Sequence, residues 1–145
     1  MKVSILGNGL TSLALAKALV NLNINVDIYS DNKNIKYSKI QTLGISKTNI
    51  DFFNESILDI KNLLWDIDKI EIFSENLNNE KILNFQNRNK HLFSIVKNYD
   101  LYNRLYLNLK KDKLVKFKKN INYQKLLENK YKLIFNCDPK NLITK

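Results

Sequence analysis

The 145-residue chain is long enough for one domain with a real apolar core. Its 24 basic and 14 acidic side chains leave a formal net charge of +10, a balance that admits nucleic acid, an anionic membrane surface or an anionic ligand as partner. A single cysteine, Cys137, and a single histidine, His91, exclude an internal disulfide and a Cys/His metal cluster.

Lysine, asparagine and isoleucine recur throughout the chain, so the basic surplus reads as a global bias rather than one built patch. No stretch approaches a membrane span, and the start lacks the basic region and cleavage site of a signal peptide. The expected location is a reducing, cytoplasmic compartment, with peripheral contact with an anionic membrane surface as the alternative. His91 reads as a surface or edge-strand residue.

The first 31 residues organise the chain. Lys2 to Leu6 is short, apolar and β-branched, which suits a buried parallel strand. Gly7-Asn8-Gly9 follows at once. Leu10, Leu13, Ala14, Ala18 and Leu22 then repeat at helical spacing. Ile24 to Tyr29 is a second strand, closed by Ser30-Asp31. Strand, glycine turn, helix and strand in this order predict a βαβ unit with a dinucleotide-binding turn. Gly7 lets the chain reverse out of the strand. Gly9 has no Cβ, so a pyrophosphate can approach the backbone closely. The N–H groups near Leu10 and Thr11 would face that anion, aided by the helix dipole. Ser12 takes the third position of the fingerprint, where Gly or Ala is usual because helix and strand pack tightly there. The acid that holds the ribose hydroxyls is expected at the end of the second strand. Ser30 occupies that place, and Asp31 is one residue late. The alternative is a tight glycine turn that holds no ligand.

Asp31 to Lys39 reads as a polar loop, and Gln41 to Ser46 as a short extended segment. Ser46 or Thr48 can cap a helix carrying Ile50, Phe52 and Phe53. A second amphipathic helix is expected over Ile57 to Trp65, with Trp65 at the edge of the core. The period then changes to two. Lys69 to Phe73 and Ile82 to Gln86 predict an antiparallel hairpin, with Leu92 to Val96 as a third strand beside it. Asp100 to Leu109 is helical, Leu114 to Phe117 a strand, and Tyr123 to Asn129 a turn of helix. Tyr131 to Cys137 reads as a buried strand that Asp138-Pro139 ends. Phe117 and Tyr123 are expected in the core.

With these pieces in order, the chain resembles the N-terminal part of the flavoprotein aromatic hydroxylases, in the branch of the ubiquinone-biosynthesis hydroxylases related to p-hydroxybenzoate hydroxylase. Val3 to Asp31 resembles the family's FAD-type βαβ unit. Ile95-Val96-Lys97-Asn98-Tyr99-Asp100-Leu101 with Leu105 is similar to its "VENRxL…L". Leu133 to Pro139 is similar to "LVVGADG", and Gln41 to Ser46 sits where the family has "RxxALS". The sequence departs from the pattern at Gln41 and Tyr99, where the family has arginines, and at Asn136 and Pro139, which replace both glycines around Asp138.

The resemblance implies an α/β, Rossmann-like FAD/NAD(P)-binding fold, truncated relative to the family. Residues 1–66 and 97–145 would form the dinucleotide-binding domain. Residues 67–96 would be a partial, substrate-side hairpin insertion. The implied cofactor is FAD, with NAD(P) as alternative, contacted by Gly7, Asn8, Gly9, Leu10, Thr11, Ser12, Ser30, Asp31, Gln41, Asn98 and Asp138. The implied activity is flavin-dependent hydroxylation of an aromatic or quinone-precursor substrate, completed by a second polypeptide. The alternative is a non-catalytic nucleotide-binding module or a decayed remnant. Nucleic-acid binding through Lys110 to Lys119 is not expected, because no aromatic stacking platform accompanies those lysines.

Overall fold

The computed structural model describes residues 1–30, 39–75, 80–86, 92–119, 131 and 133–138. Its centre is a four-stranded parallel sheet. Strand β1 (Lys2–Leu6) lies between β2 (Asn25–Ser30) and β9 (Leu133–Asn136), and β8 (Val115–Lys119) flanks β2. The order β8-β2-β1-β9 is that of a dinucleotide-binding half, with the first strand central and the third and fourth parallel strands outermost.

Helix α1 (Leu10–Asn21) connects β1 to β2 and lays Leu13, Ala16 and Val20 on the sheet. It stops at Asn23, whose φ of 59° is the left-handed conformation that asparagine tolerates. The N–H of Ile24 then reaches back to Leu19 O at 3.1 Å and that of Asn23 to Val20 O at 2.8 Å, closing the helix end. Helix α3 (Asn98–Lys110) packs beside α1 through Leu101, Leu105 and Leu109, all buried. Asp100 in its first turn and Lys110 in its last complement its dipole. Val3, Ile5, Val26 and Ile28 complete this core from the sheet.

The chain leaves the parallel sheet for a second, antiparallel one. Strand β3 (Thr42–Ile45) and strand β4 (Leu64–Ile67) both pair with a central strand, β7 (Phe93–Lys97). Ser46 caps helix α2 (Lys47–Phe52) as expected, its Oγ accepting from Asn49 N at 3.3 Å. A π-helical turn, Phe53–Ile57, extends α2. Asn21 fixes that turn to α1, its Nδ2 donating to Ser56 O at 3.0 Å and Ile57 O at 2.8 Å. The expected hairpin forms from β5 (Lys69–Phe73) and β6 (Lys81–Gln86).

Five expectations need correction. Ile57 to Trp65 is not one helix: a single 3₁₀ turn, Lys61–Leu63, leads into β4. Asp59 and Asn54 carboxyl and amide oxygens accept from Lys61 N and Ile60 N, which offers the backbone an alternative to helix. Ile57, at the end of the π turn, and Ile60, just before the 3₁₀ turn, are buried all the same. Trp65 is not core edge but about half exposed (51%), with the Lys97 ammonium 4.8 Å from its ring centroid. Leu92 to Val96 does not extend the hairpin; it becomes β7, between β3 and β4. The strand after Tyr131 is not buried on both faces: Leu133 and Ile134 in β9 stay exposed at the edge of the sheet. Phe117 is also only partly covered, by the ring of Tyr106 at 5.2 Å. His91, Tyr123 and the turn of helix around it lie outside the described residues.

The sheet face away from α1 carries a polar cluster. Asp27 sits in mid-strand with a side chain only 2% exposed. Its Oδ2 accepts from Lys118 Nζ at 2.7 Å, Lys2 Nζ at 2.8 Å and Tyr131 Oη at 2.5 Å. The Tyr29 and Tyr131 hydroxyls meet at 2.7 Å. Burial opposes ionisation of Asp27, but the two ammonium groups and the Tyr131 hydroxyl outweigh it and hold the carboxyl below its ordinary value of 3.8. Lys118 is correspondingly pushed up by its bond to Asp27, and Tyr131 is pushed up by burial and by the same carboxylate.

A depressed carboxyl contributes stability that is present above its unfolded pKa and lost as pH falls through the folded one. Asp27→Asn is therefore expected to destabilise the fold by about 1.5–3 kcal/mol near neutral pH, the range for hydrogen bonds to a charged group. The difference from the parent should shrink below about pH 4. Urea denaturation at pH 7 and pH 3 checks both parts.

Candidate functional site

The end of β1 is held on both sides. Gly7 N donates to Tyr29 O of β2 at 2.8 Å, and Cys137 N donates to Leu6 O at 2.9 Å. The chain then turns at Gly7, whose φ of +103° is a conformation that L side chains rarely adopt. Space is short there as well. A Cβ on Gly7 would lie 3.1 Å from Ser12 Oγ and 3.3 Å from both Asp138 Cβ and Asp138 N. The expected site residues Gly7, Ser12 and Asp138 are thus brought together. Asp138 is set in place by its own N–H, which donates to Asn136 Oδ1 at 3.1 Å.

Gly9 is the residue before α1, with extended φ and ψ of −74° and 179°. Its carbonyl accepts the first helical bond, from Leu13 N at 3.0 Å. It offers no side chain to cap the helix, and the first turn holds no acid. A helix start normally finds a Ser, Thr, Asp or Asn oxygen for its leading N–H groups. Gly9 supplies no such oxygen, and the positive end of the helix dipole favours an anion there. Asn8, Gly9 and Leu10 are partly accessible, Thr11 is exposed and Ser12 is buried. The backbone cradle therefore fits a pyrophosphate.

The remaining expected residues are dispersed. Ser30 closes β2 opposite Lys119 of β8, while Asp31 lies outside the described residues. Gln41 and Asn98 meet, Asn98 N donating to Gln41 O at 3.0 Å where β7 passes into α3. Asn98 Oδ1 is buried with no hydrogen-bond partner among the described residues. Burial pushes the Cys137 thiol up, with the Ser12 hydroxyl beside it pulling the other way. That leaves Cys137 a poor nucleophile. Among the described residues no group of His, Cys, Asp and Glu could hold a metal ion, and no helix is long and apolar enough to cross a membrane.

Two features went unread in the sequence. The Asp27 cluster is one. The alternation in Asn25-Val26-Asp27-Ile28-Tyr29-Ser30 puts Asp27 and Tyr29 on the face opposite Val26 and Ile28, but nothing local names Lys118 or Tyr131 as partners. The other is an apolar cleft of about 480 Å³ beside the start of α1, lined by α1, β3, α2 with its π turn, β7 and α3.

Because Gly7 combines a positive φ with close neighbours, Gly7→Ala should cost about 1–3 kcal/mol of stability. A thermal-unfolding midpoint equal to the parent's would contradict the turn geometry.

No protein-family model and no curated protein sequence matches the chain. Solved structures do. The chain is similar to p-nitrophenol 4-monooxygenase PnpA from Pseudomonas putida, with TM-score 0.65 and 15% identity over 81% of this chain and 31% of that one. PqsL from Pseudomonas aeruginosa, a probable FAD-dependent monooxygenase, matches with TM-score 0.65 and 13% identity over 82% and 32%. HpxO from Klebsiella pneumoniae, solved with FAD and uric acid, matches with TM-score 0.60 and 20% identity over 81% and 30%. The chain spans about a third of the length of each, and over that third it has the α/β fold of the FAD-containing monooxygenases.

Proposed function

We propose that this chain is the FAD-binding portion of a flavin-dependent aromatic-ring hydroxylase, of ubiquinone-biosynthesis type, and that it needs further polypeptide for activity. The observation that carries the reading is the start of α1, which has no side-chain cap and follows directly on a buried parallel strand and a glycine at φ +103°. Anions bind such helix starts through backbone N–H groups, which need no particular side chain. The likeness to FAD-containing monooxygenases favours FAD over NAD(P). The amides of Gly9, Leu10 and Thr11 would hold the pyrophosphate, and Ser30 or Asp31 the adenosine ribose. Gln41, Asn98 and Asp138 would lie toward the rest of the cofactor.

FAD would supply the redox chemistry by which one oxygen atom of O₂ reaches an aromatic ring. This chain's residues bind and orient the adenosine and pyrophosphate end. A closed, water-excluding pocket around the reacting centre would have to come from additional chain. The second reading, a nucleotide-binding module without catalysis, is favoured by Gln41, Tyr99, Asn136 and Pro139, which remove arginines and glycines found in the family the sequence resembles. Nucleic-acid binding gains no support: Lys118, near the end of the basic run, is committed to Asp27.

Gly9→Val places a side chain where the phosphates would approach. It should weaken FAD binding about tenfold or more, equivalent to about 1.4 kcal/mol, while the far-ultraviolet circular dichroism stays that of the parent. Titration by flavin fluorescence decides it, and equal affinity in the variant and the parent would end the proposal.

The 145-residue chain, supplied with FAD, a nicotinamide donor and candidate phenols, is expected to give no hydroxylated product. Coupled hydroxylation by the chain alone would show that it holds a complete active site.

A further inference from the structure

Two apolar surfaces lack cover among the described residues. The first is the cleft beside the start of α1. Its floor is buried core, including Val96, Leu101 and Leu105, and its rim includes Leu43 at 42% and Phe52 at 55% exposure. Thr11 is the single polar residue that lines it. Three of its walls are helical: α1, α2 with its π turn, and α3. On α1 the cleft is lined by Leu10, Thr11, Ala14, Leu15 and Ala18, and the two alanines, four residues apart, leave room for another backbone to approach.

The second surface is one face of the β5–β6 hairpin. The register places Ile70 opposite Phe85 and Ile72 opposite Leu83, all on one face, and Ile72, Leu83 and Phe85 are each more than 40% exposed. The other face is mixed: Glu71 bridges Lys69 and Lys81, and the Lys81 ammonium lies over the Phe73 ring at 5.9 Å from its centroid. A two-stranded hairpin with one apolar face is marginal by itself and is normally completed by another layer.

Apolar surfaces of this kind mark contacts with another body. An occupant confined to the cleft would leave the hairpin bare. The solved structures of the same fold hold about two-thirds of their chain outside the part this protein matches. We propose that the cleft is the seat of an apolar helix from the polypeptide that carries the remainder of the monooxygenase fold, and that the same body covers the hairpin face. A helix fits because helical ridges pack into the grooves between helical ridges, and most of the cleft wall is helical. The proposal rests on the reading of the chain as part of a flavin hydroxylase. Leu10 and Thr11 belong both to the cleft wall and to the first turn of α1, so a helix seated there would also close the pyrophosphate turn against water on that side.

The test is site-specific photo-cross-linking in the cells that make the protein. p-Benzoylphenylalanine replaces Phe52 or Leu43 at the rim, or Leu107 on the exposed side of α3 as control. Adducts are identified by mass spectrometry. The expected result is an adduct from positions 52 and 43, not from 107, with a helical segment of a polypeptide bearing the remaining flavin-monooxygenase sequence. Ala14→Arg, which fills the cleft, should abolish it. Adducts with a second copy of this chain, with an unrelated protein or with lipid, or no adduct at all, would overturn the proposal. FAD titration of the same variants separates the two claims. FAD binding without the adduct would refute the seat and leave the cofactor reading standing. The adduct without FAD binding would do the reverse.

Discussion

The rest of the structure depends on how β1 is held at its C-terminal end. The strand is hydrogen-bonded on both edges, to β2 through Gly7 N and to β9 through Leu6 O, and both bonds fall at the point where the chain turns. That double anchorage fixes the direction in which α1 starts. It also brings Asp138, more than a hundred residues away in sequence, into contact range of Gly7. With φ at +103° and neighbours at 3.1 and 3.3 Å, the turn favours glycine. The helix start is therefore delivered to one place, without a side-chain cap, by backbone geometry and packing. Backbone geometry survives sequence drift better than a set of side-chain ligands does. This accounts for a fold close to that of FAD-containing monooxygenases at only 13–20% identity.

The two faces of the parallel sheet are held by different physics. Toward α1 and α3 the face is apolar, and burial of Ile5, Val26, Ile28, Leu105 and their neighbours supplies the driving force. On the other face one buried carboxylate gathers Lys2 of β1, Lys118 of β8 and Tyr131 just before β9, so a single group in β2 links the other three strands. A buried charge is tolerable only with such partners. The cluster ties the start of β9 to the centre of the sheet, and the far end of β9 carries Cys137 and Asp138 to the turn at Gly7.

Legibility in the sequence followed the range of the interactions. The β1–α1–β2 unit is local, and the spacing of Leu10, Leu13, Ala14 and Ala18 with two glycines before it was enough to place both the element and the turn. The β5–β6 hairpin was readable for the same reason. Pairing between distant strands was not: nothing in Phe93 to Lys97 says that its neighbours are Thr42–Ile45 and Leu64–Ile67 rather than the hairpin beside it in sequence. Periodicity failed between Ile57 and Trp65, because local side-chain bonds from Asn54 and Asp59 favoured a 3₁₀ turn over an α-helix. At the site, Gly7 and Ser12 were legible, whereas the contact of Gly7 with Asp138 depends on the placement of β9. The apolar run of β9 disclosed a strand but not which faces are covered.

The central claim is that the start of α1 holds the pyrophosphate of a dinucleotide. The most direct measurement is a titration of the isotopically labelled protein with FAD, followed by amide nuclear magnetic resonance, with ADP as a ligand that retains the diphosphate and lacks the flavin. The account predicts that both ligands produce their largest shifts at the amides of Gly7 to Ser12, saturating with the bound fraction. Shifts confined to the basic strand Val115–Lys119, or none at saturating FAD, would contradict it.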